Sequence, residues 1–244
     1  MTLIPVNKRL NYILHLETAT ALCSVALASE GKLISKFSIS QGFKHAENLM
    51  PLCDQLIKES GISYNDLKAV AVSAGPGSYT GLRIGVSTAK GICYGLSTPL
   101  ITVPTLGILA RVFKDANPDF KGLIAPMIDA RRMEVYTSVF DSELNQIMAE
   151  TPLVIDKLLY SDYLIEHKIA FIGDGAEKCK EILSENENAI FAYQADLDAA
   201  GMIDYAFKAF NKKNFADLAY FEPEYLKPYQ GTPPPAGINA GKKV

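Results

Sequence analysis

Apolar and polar residues along this chain follow two periods, and the switches between them mark its elements. Residues 12–17, 22–28 and 32–40 are short runs of β type. The turns between them, 18–21 and 29–31, are short enough for antiparallel hairpins. Leu49, Leu52, Cys53, Leu56 and Ile57 then recur at helical spacing, which predicts an amphipathic helix over 44–60, ended by Gly61. The apolar run 69–74 reads as a buried strand. A helix over 82–96, a strand over 100–103 and a helix over 105–113 follow. The order is βββαβαβ.

That order repeats. Residues 123–129 and 134–140 are strand-like, with a turn at 130–133, and a third strand lies near 147–154. A helix near 157–167 precedes a strand at 169–172, a second glycine turn and a helix over 177–185. Phe191 begins a weaker strand, and 198–212 reads as a final helix. A duplicated βββαβαβ unit predicts an α/β protein of two lobes facing a cleft. The expected divisions are 1–116, 117–226 and an extended or disordered tail, 227–244, rich in proline, glycine and lysine.

The stretch GPGSYTGLRIG joins the strand at 69–74 to its helix. Gly75, Gly77 and Gly81 admit crowded or left-handed backbone, and Ser78 or Thr80 can cap the helix. A glycine turn at a helix N-terminus is a ready anion site, but such turns are also common as structure alone. The helix itself carries Gly81, Gly85, Gly91 and Gly95. Each costs about 1 kcal/mol relative to alanine in a helix interior, so some compensation is required. Gly81, Gly85 and Ala89 share one face, a smooth stripe for close approach of either the protein's own sheet or another subunit. Spacing alone favours the sheet. Arg83 opposes the helix dipole in the first turn and so predicts an anionic partner.

Composition adds limits. The 244 residues are 48% hydrophobic and 21% charged, with a net charge of −3. That describes an ordinary globular protein without the basic face needed to grip nucleic acid alone. No apolar run approaches a membrane span, and residues 1–12 lack the apolar stretch of a signal peptide. The four cysteines lie scattered in apolar surroundings and read as buried thiols of a reducing cytoplasm. The histidines at 15, 45 and 167 have no metal-ligand spacing, so no metal site is expected.

Three polar turns could wall a nucleotide cleft: Glu17, Thr18 and Thr20 in the first hairpin, Asp129, Arg131 and Arg132 in its counterpart, and Gly173, Asp174 and Gly175. They could equally be ordinary polar turns, which favour these residue types anyway. Arg131 and Arg132 could clamp an anion or fill the space a phosphate needs. His45, with Glu47 at a helix start, reads better as a capping or interface histidine than as an acid–base catalyst.

The segments ILHLETATALCSVALA, KHAENLMPLCDQLIKESG, AVSAGPGSYTGLRIGVSTAKGICYGLSTPL and APMIDARRMEVY, with GDGAEK and PEYLK more weakly, cover most of the chain. With them the sequence resembles the bacterial TsaB family, also labelled YeaZ and glycoprotease-like. The resemblance implies the actin-like, Hsp70-like, sugar-kinase (ASKHA, RNase H-like) fold. It implies a non-catalytic scaffold role in making N6-threonylcarbamoyladenosine in tRNA. The partners would be a TsaD-type transferase bound through the first lobe and a TsaE-type ATPase, with tRNA met only within the complex. A homodimer through the same helices is the alternative assembly, and an ATP-hydrolysing phosphotransferase the alternative activity. Under this resemblance Thr105 and Leu109 stand where the related transferase has two metal-binding histidines, so the reaction's metal site is not expected here. Many relatives have glycine at Met133, aspartate at Glu17 and serine at Ala46; the first difference weakens phosphate approach, the second lengthens any metal reach, and together they weaken a nucleotide-hydrolysis reading. No cofactor is therefore expected, with weak ATP or Mg binding left open. The resemblance turns the glycine stripe toward a partner, giving an expected interface of His45, Leu49, Leu52, Cys53, Gly81, Arg83, Gly85, Ala89 and Gly91.

Overall fold

The computed structural model describes residues 10–40, 44–156, 159–192 and 196–227. Two five-stranded sheets repeat one plan. In the first, β1 (Tyr12–Glu17), β2 (Cys23–Ser29) and β3 (Lys32–Ile39) form an antiparallel meander. Beyond β1, β4 (Leu67–Gly75) and β5 (Leu100–Pro104) continue in parallel, giving the order β3-β2-β1-β4-β5. In the second, β6 (Leu123–Asp129), β7 (Glu134–Phe140), β8 (Gln146–Val154), β9 (Ile169–Ile172) and β10 (Ala189–Ala192) take the same places, in the order β10-β9-β6-β7-β8. Helices α1 (His45–Glu59), α2 (Tyr79–Leu96) and α3 (Thr105–Ala116) belong to the first repeat, and α4 (Ser161–Glu166), α5 (Ala176–Leu183) and α6 (Ile203–Asn211) to the second. Among the described residues no helix is long and apolar enough to cross a membrane.

Strand β1 is buried along its whole length because both faces of the sheet are covered, and this is why it reads as a continuous apolar run instead of an alternation. Tyr12, Leu14 and Leu16 face α1 and α2, where they meet Leu49, Cys53, Leu56, Val86 and Ala89. Ile13 faces the other way, into a core shared with α3 and with Ile124, Ile128, Ala170 and Ile172 of the second sheet. A third core lies on the far face of that sheet, around Met127, Val135, Phe171 and Cys179. All four cysteines are buried and unbridged.

The periodicity located these elements within a few residues. Helix α2 begins three residues earlier than expected, at Tyr79, because the Ser78 hydroxyl accepts the Gly81 amide (3.2 Å) and caps the helix there. The expected final helix over 198–212 divides into a 3-10 turn, Ala199–Met202, capped by the Asp198 carboxylate, and α6. The larger difference concerns residues 198–226, grouped by the sequence with the second lobe. The 3-10 turn packs on β1 and β2, α6 packs on β5 and β1, and Ala216 bridges to Leu100 at the β5 edge. Ala216, Leu218 and Phe221 are apolar and find their burial against the first lobe's core. The tail expected over 227–244 lies outside the described residues except for Lys227.

Candidate functional site

At the end of β1 the Glu17 carboxylate is wholly buried. Its Oε1 accepts the Ala19 amide (2.7 Å) and the Ser73 hydroxyl (3.0 Å), while Oε2 has no partner among the described residues. Burial pushes its pKa up to about 7. Thr18 donates to the Gly81 carbonyl (2.8 Å), and the Thr20 carbonyl accepts from His45 Nε2 (2.8 Å). His45 is buried, which lowers its pKa. It ties the start of α1 to the first hairpin turn.

The glycine turn after β4 is filled by the chain itself. A Cβ on Gly75, whose φ is +118°, would lie 2.5 Å from the Glu224 carbonyl oxygen, and one on Gly77 would lie 2.6 Å from the Ala19 oxygen. Three amides of the turn have protein partners: Gly75 donates to Thr105 Oγ1, Ser78 to the Ala19 carbonyl and Gly81 to Ser78 Oγ.

The second lobe's turns are likewise knitted together. Asp129 Oδ1 accepts the Arg131 amide (2.6 Å) and Lys178 Nζ (2.5 Å). Asp174 Oδ1 accepts the Asp129 amide (2.9 Å), and burial holds the Asp174 carboxyl above its usual range. Gly173 and Gly175 pack against the Met127 backbone. Among the described residues no group of three or more His, Cys, Asp and Glu side chains could hold a metal ion. Thr105 spends its hydroxyl on Gly75, and Leu109 is buried in the core between the sheets.

A feature invisible to periodicity runs over this region. Residues 217–227 form an irregular strap along α2. Lys90 Nζ donates to the carbonyls of Ala219 (3.0 Å) and Phe221 (3.1 Å), and the Glu224 amide donates to the Ala74 carbonyl (2.7 Å). Arg83, for which the helix dipole predicted an anion, lies 4.3 Å over the Tyr79 ring and donates to the Tyr225 hydroxyl (3.2 Å), and the Glu222 carboxylate adds a favourable charge. The strap then reaches the second lobe, where Lys227 pairs with Glu134.

The expected interface needs correction. His45, Leu49, Leu52, Cys53, Gly81, Gly85 and Ala89 are all buried inside the chain. The stripe of Gly81 and Gly85 faces inward: a Cβ on Gly81 would lie 2.1 Å from the Thr18 oxygen, and one on Gly85 2.3 Å from Thr18 Oγ1. Of the nine, Arg83 and Gly91 are exposed. The flank of α2 carries a second stripe at helical spacing, in which Ile84, packed against the first core, and Thr88 are half-buried and Gly91 and Gly95 are exposed; among the described residues a Cβ on either glycine would meet nothing within 4 Å. Gly95 was the available signal for that face. On α1, Ala46, Met50 and Pro51 are exposed.

Comparison with known proteins agrees with this architecture. Residues 33–231 match the family model described as TsaD, tRNA N6-adenosine threonylcarbamoyltransferase. The chain is 30% identical over 220 residues to the tRNA threonylcarbamoyladenosine biosynthesis protein TsaB of Escherichia coli K12, covering 88% of this chain and 94% of that one. A crystal structure from Pseudomonas aeruginosa, described as an uncharacterized protein with similarity to peptidase YEAZ, superposes with a TM-score of 0.80 at 24% identity. It covers 89% of this chain and all of that one. An activator of 2-hydroxyisocaproyl-CoA dehydratase from Clostridium difficile, with bound ADPNP, shares the fold at a TM-score of 0.50 and 11% identity, over 84% of this chain and 98% of that one. The fold is thus the actin-like one, and the chain belongs to the TsaB (YeaZ) family.

Proposed function

We propose that this chain is a non-catalytic subunit of the machinery that makes N6-threonylcarbamoyladenosine in tRNA. It docks a TsaD-type transferase through the exposed faces of α1 and α2, and a TsaE-type ATPase joins the assembly. The first lobe carries the contact and the second completes the body. Participation in this modification rests on the family. The supporting role draws on the filled glycine turn, the enclosed Glu17, and Thr105 and Leu109 in place of metal-binding histidines.

The observation that carries the docking surface is the pair Gly91 and Gly95. Internal glycines such as Gly81 are explained by the backbone they touch. These two destabilise α2 by about 1 kcal/mol each relative to alanine, and nothing among the described residues requires their smallness. A second protein approaching closely along Ile84, Thr88, Gly91 and Gly95 supplies the requirement. Tagged wild-type chain and Gly91→Trp are compared for stoichiometric co-purification with the transferase, with circular dichroism as the check on folding. The expected result is loss of the transferase from a folded variant. Retention of a full equivalent refutes the assigned face.

A further inference from the structure

We infer that the β6–β7 turn, through Arg131 and Arg132, binds phosphate groups of an RNA backbone. This rests on the preceding reading, in which the chain works beside a tRNA-modifying enzyme, and it adds a contact made by this chain's own residues. Arg131 (φ +67°) and Arg132 (φ +52°) are consecutive left-handed residues. Glycine or asparagine ordinarily fills such positions, because a Cβ is crowded there. Two arginines at the strained places of one turn suggest a reason other than backbone comfort.

The turn is also a rigid mount. The Asp129 carboxylate holds the Arg131 amide, Lys178 Nζ holds the Arg132 carbonyl (2.9 Å), and Ala130 pairs with Glu134 across the base (3.1 Å). Both arginines are exposed, and among the described residues neither guanidinium has a hydrogen-bonding or ion-pairing partner. The neighbouring carboxylates are already engaged: Asp129 with Lys178, Glu134 with Lys227, and Asp174 with the Asp129 amide. A chain with a net charge of −3 therefore presents two uncommitted forked cations on one fixed loop. A guanidinium matches phosphate oxygens bidentately, and a contact to phosphate carries no base information, as a backbone contact should. A nucleotide in the cleft is the poorer ligand, because the Gly75–Gly77 cradle is filled.

The test uses the assembled complex with the transferase and an unmodified tRNA transcript, titrated by fluorescence anisotropy at several salt concentrations. Arg131→Gly/Arg132→Gly removes both cations while suiting the left-handed backbone, so the turn is kept. Expected are roughly tenfold weaker tRNA binding and a salt dependence shallower by about one to two phosphate contacts, with assembly unchanged. Arg131→Lys/Arg132→Lys should recover most of the affinity. Wild-type affinity and slope in the glycine variant overturn the inference, as does loss of Mg-ATP binding with tRNA binding intact. Should no complex form, the docking proposal fails by itself, and low-salt titrations of the isolated chain decide this one: wild-type binding that weakens in the glycine variant supports it, and equal or absent binding in both overturns it.

Discussion

Thr18 and Gly81 are joined twice: the threonine hydroxyl donates to the glycine carbonyl at 2.8 Å, and the threonine carbonyl oxygen occupies the space a Cβ on the glycine would need. This contact seats α2 on the first hairpin turn. One turn further along, Gly85 meets the same Thr18 side chain.

Glycines on the two sides of α2 should therefore respond oppositely to alanine. Gly81→Ala and Gly85→Ala force the hairpin turn off the helix and should cost about 1–3 kcal/mol. Gly91→Ala, with open space around it, should gain about 0.5–1 kcal/mol in the isolated chain. Urea unfolding midpoints of the three variants measure this, and a common sign would refute the assignment of faces.

The same contact shows what the sequence could and could not convey. Ser78 was readable as a cap because its chemistry is local, and the duplicated strand order was readable because each run has its own period. The two stripes of α2 were not distinguishable. Gly81, Gly85 and Ala89 have the spacing of any helical stripe, as do Ile84, Thr88, Gly91 and Gly95, and periodicity defines a face without saying what lies against it. The resemblance then pointed the wrong stripe outward. The strap escaped notice because residues 217–227 are held largely by Lys90, Arg83 and backbone bonds, none of which leaves a periodic trace.

Stability should depend on pH through Glu17. Its pKa rises from the ordinary 4.5 to about 7 on folding. Below 4.5 both states are protonated and the group is neutral toward folding. As pH rises toward 7 the unfolded chain ionises first, so folding loses stability, on the order of 3 kcal/mol in all. His15, wholly buried and lowered to about 4, acts in reverse and removes stability as pH falls from 6.5. Unfolding free energies of wild type and Glu17→Gln across pH 5–8 test the first effect. The decline toward high pH should be shallower in the variant, and an equal decline in both would rule it out.

Lys90 should govern how firmly the strap is held. Lys90→Met keeps the aliphatic packing but leaves the Ala219 and Phe221 carbonyls without their donor. Expected are faster amide exchange across residues 217–225 and a stability loss of about 1 kcal/mol, with α1 unchanged. Exchange identical to wild type would show that the strap is held by its apolar side chains alone.

Helix α3 is wedged between the sheets, and the 3-10 turn and α6 of the second repeat complete the first. Each half of the molecule thus carries part of the other's keel. Prying the halves apart would strip Ile108, Leu109 and Met202 of their neighbours, so any separation is opposed by the apolar surface it would bare to water.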